Sequence, residues 1–149
     1  LGEILGEGEV TMSLGIDPRF DVRESVLPGL WRVQAVQSDG RVVQDWIEVG
    51  DVPDVVRAGA RAMTQPVLEL PTAAPEGTMN ALPVLAEVAA RMPAAAAGEP
   101  NHVINFSLLP LTPVDSALIT RVLGRAAFAA ESRGFGKARV YLTGHRHVW

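Results

Sequence analysis

Sliding the chain against itself by 118 residues lines up Leu5-Gly6 with Leu123-Gly124, Val22 with Val140 and Trp31 with Trp149, without a gap over 27 positions. No other feature restricts the fold as much, because a duplicated unit folds twice and shares one core. Val10 falls on Phe128 and Arg19 on Lys137, and both stretches read as a helix end, a Gly, a strand, a turn, a second strand and a Trp. The expectation is an α+β fold of two related α/β repeats about a pseudo-twofold axis, with antiparallel strands and helices packed on the sheets. Residues 1–63 would be the first repeat with its opening helix cut short, 64–78 a Pro-rich connector, and 79–149 the second repeat without its final strand and helix. On this reading the chain is a fragment. Its sheet edge near Trp149 would be open and prone to pair with a second copy.

Local patterns fill in the elements. Leu1–Gly6 reads as a last helical turn, and Val10, Met12 and Leu14 alternate with polar residues as a half-buried strand does. A second extended stretch runs from Val22 to Val36, broken at Pro28-Gly29, with Trp31, Val33 and Ala35 on one face. Asp39-Gly40 is a hairpin turn, and the returning strand Arg41–Val49 puts Val43, Asp45, Ile47 and Val49 on one face. The other face carries Gln44, Trp46 and Glu48 and is expected to meet water. Asp51 is expected to cap a helix striped with Val52, Val55, Val56 and Met63. A helix from Ala81 to Met92, which Ala94–Ala97 prolongs or leaves frayed, precedes a strand from Val103 to Leu109. Thr112-Pro113 opens a further helix with Asp115 as its capping-box acid, and two more extended stretches follow.

With no Cys, the chain excludes disulfides, thiolate metal sites and thiol catalysis. No apolar run is long enough to span a bilayer, so no membrane role is expected. Charge divides along the chain: residues 1–57 sum to −6, 58–119 to −3 and 120–149 to +5. The acidic first part and basic last part can attract each other within the chain or across two chains, and the net −4 argues against nucleic acid as the partner of the basic end. His145-x-His147 would place two imidazoles on one strand face, but a zinc site needs a third ligand and the remaining His, His102, is distant. Gly134-Phe135-Gly136-Lys137 lacks phosphate-loop spacing, and no serine sits in a nucleophile elbow. No catalytic, cofactor or metal residues are assigned. The surface candidates are Trp46 between Gln44 and Glu48, with Arg32 on the preceding strand, as an aromatic anchor ringed by polar groups. A basic strip of Arg133, Lys137 and Arg139 competes with it.

Several segments resemble the HupH (HyaF) family of nickel–iron hydrogenase maturation proteins. They are Leu5–Val10, Arg23–Val33, Trp46–Pro53, Met79-Asn80-Ala81, Leu108–Pro113, Leu123-Gly124-Arg125 and Ser132–Gly136. The resemblance implies a non-catalytic cytoplasmic chaperone of the hydrogenase small-subunit precursor before export, working with other maturation proteins and without a cofactor. A metal-handling protein such as a nickel donor, or a small-molecule enzyme, using His145 and His147 is the alternative.

Overall fold

The computed structural model describes residues 6–134 and 136–149, so the helical turn expected over Leu1–Leu5 lies outside it, as does Phe135 of the basic turn. Among these residues the chain is α+β. Strands β1 (Val10–Leu14), β2 (Arg19–Glu24), β3 (Leu30–Val36), β4 (Val42–Val49), β5 (Phe128–Ser132) and β6 (Ala138–Tyr141) form a single antiparallel sheet. Its order is β4-β3-β2-β1-β5-β6. The helices are α1 (Asp54–Ala62), α2 (Ala81–Ala96) and α3 (Pro113–Leu123). The chain divides into two compact units, one of residues 6–63 with 125–142 and one of residues 64–124 with 143–149. The stretch read as a second repeat, 79–149, therefore contributes to both.

The first unit is the sheet with α1 on one face. Register places Trp31, Val33 and Ala35 beside Glu24, Val22 and Phe20, and Met12 beside both Val22 and Ala130, so these side chains share one face. Leu14, Val22, Trp31, Val33, Val56, Phe128 and Leu142 are its buried core. The period-two pattern of β1 and β3 is legible in that burial. Trp31 is buried without leaving its indole unsatisfied, because Nε1 donates to Gly50 O at 2.8 Å. Gly59 lets α1 approach closely, since a Cβ there would collide with Leu14 Cδ1.

Pro28-Gly29 separates β2 from β3, as the break expected there implies. Two expectations are corrected here. Asp51 does not cap α1: the Asp54 amide donates instead to Glu48 Oε2 at 2.6 Å. The carboxylate is borrowed from β4 because α1 begins beyond Pro53, leaving Asp51 and Val52 outside the helix. Finally, β4 presents the opposite face to the core from the one its valines suggested, as described below.

The second unit packs α2 and α3 around Leu68, Ala81, Val84, Leu85, Met92, Leu118 and Ile119. Leu68 anchors the Pro-rich segment into this cluster, so that segment is docked rather than free. Helix α2 runs through Pro93 to Ala96. The strand expected over Val103–Leu109 is absent, and a 3₁₀ turn occupies Phe106–Leu108 with Val103 and Leu108 exposed. Alternation without a neighbouring strand to satisfy the backbone does not make a strand. The Thr112–Asp115 capping box of α3 is formed as its residues suggest.

Candidate functional site

Trp46 lies opposite Val33, Glu48 opposite Trp31 and Gln44 opposite Ala35. Residues directly opposite in a ladder point to the same side, so all three belong to the face that meets the core. Trp46 is half-buried there, edge-on to Phe20 with ring centroids 6.2 Å apart, and its Nε1 donates to Glu48 Oε1 at 2.9 Å. The other oxygen of Glu48 holds the start of α1. Trp46 and Glu48 thus tie strand to helix, and Gln44 stays exposed at the margin. The expectation that this face meets water is reversed, because one indole outweighs the aliphatics that alternate with it.

The outward face of β3 and β4 carries what was expected inside. Val43, Ile47 and Val49 are exposed, Val49 by 84%. Arg32 sits opposite Ile47 and Gln34 opposite Asp45, so Arg32 does not share a face with Trp46. The Arg32 guanidinium grips Asp45 in a fork, Nε to Oδ1 at 2.9 Å and Nη2 to Oδ2 at 2.6 Å. Gln34 adds a longer bond to the same carboxylate. The hydrogen bond from Arg32 holds Asp45 below its ordinary carboxylate range, and Asp45 in turn raises Arg32. The outward face thus carries exposed Ile47 and Val49, with exposed Val43 at the β4 bulge, along the strand that holds this ion pair. Open depressions flank it along β4, one lined by Gln44, Asp45 and Trp46 and one by Glu48, Val49, Gly50, Val52, Asp54 and Arg57.

The basic strip is partly neutralised. Arg139 pairs with Glu131 at 2.9 Å, while Arg133 and Lys137 flank the β5–β6 turn and are exposed. Arg125 stacks over Tyr141, 3.8 Å from its ring centroid. The histidine pair does not assemble. His147 lies in a turn and His145 in an isolated bridge with Gln65, outside the six strands, and both nitrogens of His145 face carbonyl oxygens at 3.1 Å, Val67 O and Val122 O. Metal binding by that ring would require turning it away from both. Among the described residues no group of three His, Cys, Asp or Glu side chains is arranged to hold a metal.

The family described as "HupH hydrogenase expression protein, C-terminal conserved region" matches residues 1–73 and 78–149. The chain is 39% identical over 149 residues to the hydrogenase expression/formation protein HupH of Rhizobium leguminosarum bv. viciae, covering 99% of this chain and 52% of that one. It is 41% identical over 153 residues to HoxQ of Azotobacter vinelandii, covering all of this chain and 53% of that one. The hydrogenase-1 operon protein HyaF of Escherichia coli K12 is 31% identical over 153 residues, with 100% and 52% covered. This chain belongs to the HupH family. It spans about half the length of the curated relatives it matches. No solved structure matches it.

The segments that carry the HupH resemblance do architectural work. Met79-Asn80-Ala81 and Thr112-Pro113 meet at Asp115, a fully buried carboxylate whose second role the sequence reading missed. Its Oδ1 accepts from the Met79, Asn80 and Ala81 amides at 2.9, 3.0 and 2.9 Å, and Oδ2 from the Thr112 amide and hydroxyl, both at 2.9 Å. Burial alone would raise its pKa, but the backbone donors of Thr112, Met79 and Ala81 together hold it well below the carboxylate range. One side chain therefore begins two helices. Trp46–Pro53 similarly contains the Trp46–Glu48–α1 tie.

Proposed function

We propose that this chain is part of an accessory protein for nickel–iron hydrogenase maturation, a non-catalytic cytoplasmic chaperone that holds the hydrogenase small-subunit precursor before export. Its relatives' names, hydrogenase expression/formation proteins, supply the hydrogenase context. The observation that carries a binding role is the exposed patch of Val43, Ile47 and Val49 along the strand that holds the Arg32–Asp45 pair. An apolar centre with a polar, geometrically fixed group suits a partly folded protein client better than a small substrate, which needs a concave pocket. Arg32 thus remains a partner-binding residue, together with Ile47 and Val49. Trp46, Gln44 and Glu48 support it from behind, and Arg133, Lys137 and Arg139 are the competing contact for an acidic client patch.

Capture of a small-subunit precursor by the purified chain tests both levels of this reading. An Ile47→Asp/Val49→Asp variant that stays folded should bind roughly tenfold more weakly or worse. An Arg133/Lys137/Arg139 charge reversal should change mainly the salt dependence. Undiminished capture by the Ile47/Val49 variant removes the patch from the proposal. No capture by the unaltered chain removes the chaperone reading itself.

A further inference from the structure

The 118-residue offset recurs in the hydrogen bonds far more exactly than in the side chains. In the β1–β2 hairpin Thr11 pairs with Arg23, Met12 with Val22, Ser13 with Asp21 and Leu14 with Phe20. In the β5–β6 hairpin Ala129 pairs with Tyr141, Ala130 with Val140, Glu131 with Arg139 and Ser132 with Ala138, each 118 positions on. The Gly8 amide donates to Glu24 O at 2.8 Å, and the Ala126 amide to Leu142 O at 2.9 Å. Ser25 forms a turn in which its hydroxyl donates to Leu27 O and accepts from the Leu27 amide, while its own amide donates to Leu30 O. Thr143 makes the same three bonds with His145 and Val148. Gly29 has φ +77° in the first turn and His147 has φ +63° in the second.

The two hairpins also meet as a twofold axis requires. Strands β1 and β5 are antiparallel neighbours whose central pair, Met12 and Ala130, differ by 118. The bonds that flank this pairing exchange under the same operation: Gly15 N donates to Ala127 O and Arg133 N to Glu9 O, both at 2.9 Å. Only four of the 27 aligned residues are identical, so shared side-chain chemistry does not account for such agreement.

We infer that Gly6–Trp31 and Gly124–Trp149 are two copies of one structural unit, and that the free edge of β6 is therefore a docking site for an antiparallel strand patterned like β3. The argument is one of position. Strand β6 stands to β5 as β2 stands to β1, and the far edge of β2 carries β3. Val22 is completely buried, whereas its counterpart Val140, on the same face of the sheet, is 43% exposed. All four residues of β6 are exposed. The occupant that would bury them has the alternation of Leu30–Val36, with aliphatic and aromatic side chains toward the core face and polar ones outward. The edge is thus committed to a strand of this repeat's own kind, not to a client protein or to β6 of a second copy. The inference stands independently of the maturation reading.

A synthetic peptide spanning Leu30–Val49, added to the intact chain, is the probe. Amide hydrogen exchange and NMR shifts should show new protection confined to Ala138–Tyr141, with one peptide bound per chain. Val140→Lys, at an exposed position that leaves the fold intact, should weaken binding roughly tenfold. A peptide with its polar and apolar alternation inverted should not bind. Protection at the β4 edge instead of β6, or no binding, overturns the proposal. Concentration-dependent protection of β6 without peptide also overturns it, by assigning the edge to a second copy of the chain.

Discussion

The β1–β2 and β5–β6 hairpins share a register residue for residue, yet their outer strands differ: β2 buries Val22 and all of β6 is exposed. Val22 is fully buried and Val140 is not, although each sits at the same place in its ladder on the same face. Register is thus set locally, by the turn and the alternation of main-chain donors and acceptors. Burial is set by what lies beyond the outer strand, which is β3 for the first hairpin. Identical backbone geometry therefore carries very different energetic weight at the two sites, and substitution at matched positions measures the difference.

The largest contrast should come from the central strands. Leu14 is buried beneath α1, and Leu14→Ala should destabilise the protein by about 2–5 kcal/mol. Its counterpart is Ser132, and Ser132→Ala should change stability by less than about 0.5 kcal/mol. Equal losses in chemical denaturation would mean that the second hairpin is better covered than its exposure indicates.

The helix that leads into the second hairpin, α3, is anchored by Asp115, and acid should expose that dependence. A carboxylate whose folded pKa is depressed contributes stability above its unfolded value of about 3.9, lost as pH falls through the lower folded value. Helical melting should therefore hold from neutral pH down to about 4 and weaken below it. In Asp115→Asn the Tm at pH 7 should fall by roughly 5 °C and the acid-dependent part should shrink. An unchanged Tm would show that the Met79–Ala81 amides find other acceptors.

These two sites also show what could be read before the structure. The capping box was legible because Thr112 and Asp115 are three residues apart. The same carboxylate's bonds to Met79, Asn80 and Ala81 span 34–36 residues and leave no local trace. Strand β4 was found but turned over, since Val43, Ile47 and Val49 look more apolar than Gln44, Trp46 and Glu48 when residues are counted rather than weighed. Contacts settle the matter: Trp46 packs on Phe20, and Glu48 spends both oxygens on Trp46 and α1. The same misreading put Trp46 on the water-facing side of the strand. Val103–Leu109 failed for the opposite reason, having a strand's alternation and no strand to pair with.

At the paired valines the contrast is smaller but cleaner, because the residue type is the same. Val22→Ala should cost about 2 kcal/mol and Val140→Ala less than about 0.5 kcal/mol. If a β3-type peptide occupies the β6 edge, Val140→Ala should become costlier in its presence. The turns invert the logic, since there the two segments make the same bonds. Ser25→Ala and Thr143→Ala should each cost about 1 kcal/mol, through loss of a hydroxyl that both donates and accepts. A large inequality between them would weaken the case for duplication.

The finest test lies in the matched turns, where one left-handed position holds Gly29 in the first and His147 in the second. Gly29 and His147 both take φ between +60° and +80°. A left-handed conformation costs a side-chain-bearing residue about 1–2 kcal/mol, with His toward the lower end. Glycine avoids that strain but gives up about 0.5–1 kcal/mol through the freedom of the unfolded chain. At Gly29 a Cβ would stand 3.4 Å from Gly50 O, a contact that is snug without being prohibitive, so the backbone term decides. Gly29→His should therefore destabilise by about 0.5–1 kcal/mol and His147→Gly should stabilise by about 0.5 kcal/mol or less. His147 is exposed, so its ring takes little packing with it when removed. Opposite signs for the two exchanges are what one turn geometry used twice requires, and a destabilising His147→Gly would mean the second turn holds its shape through the imidazole rather than through the backbone it shares with the first.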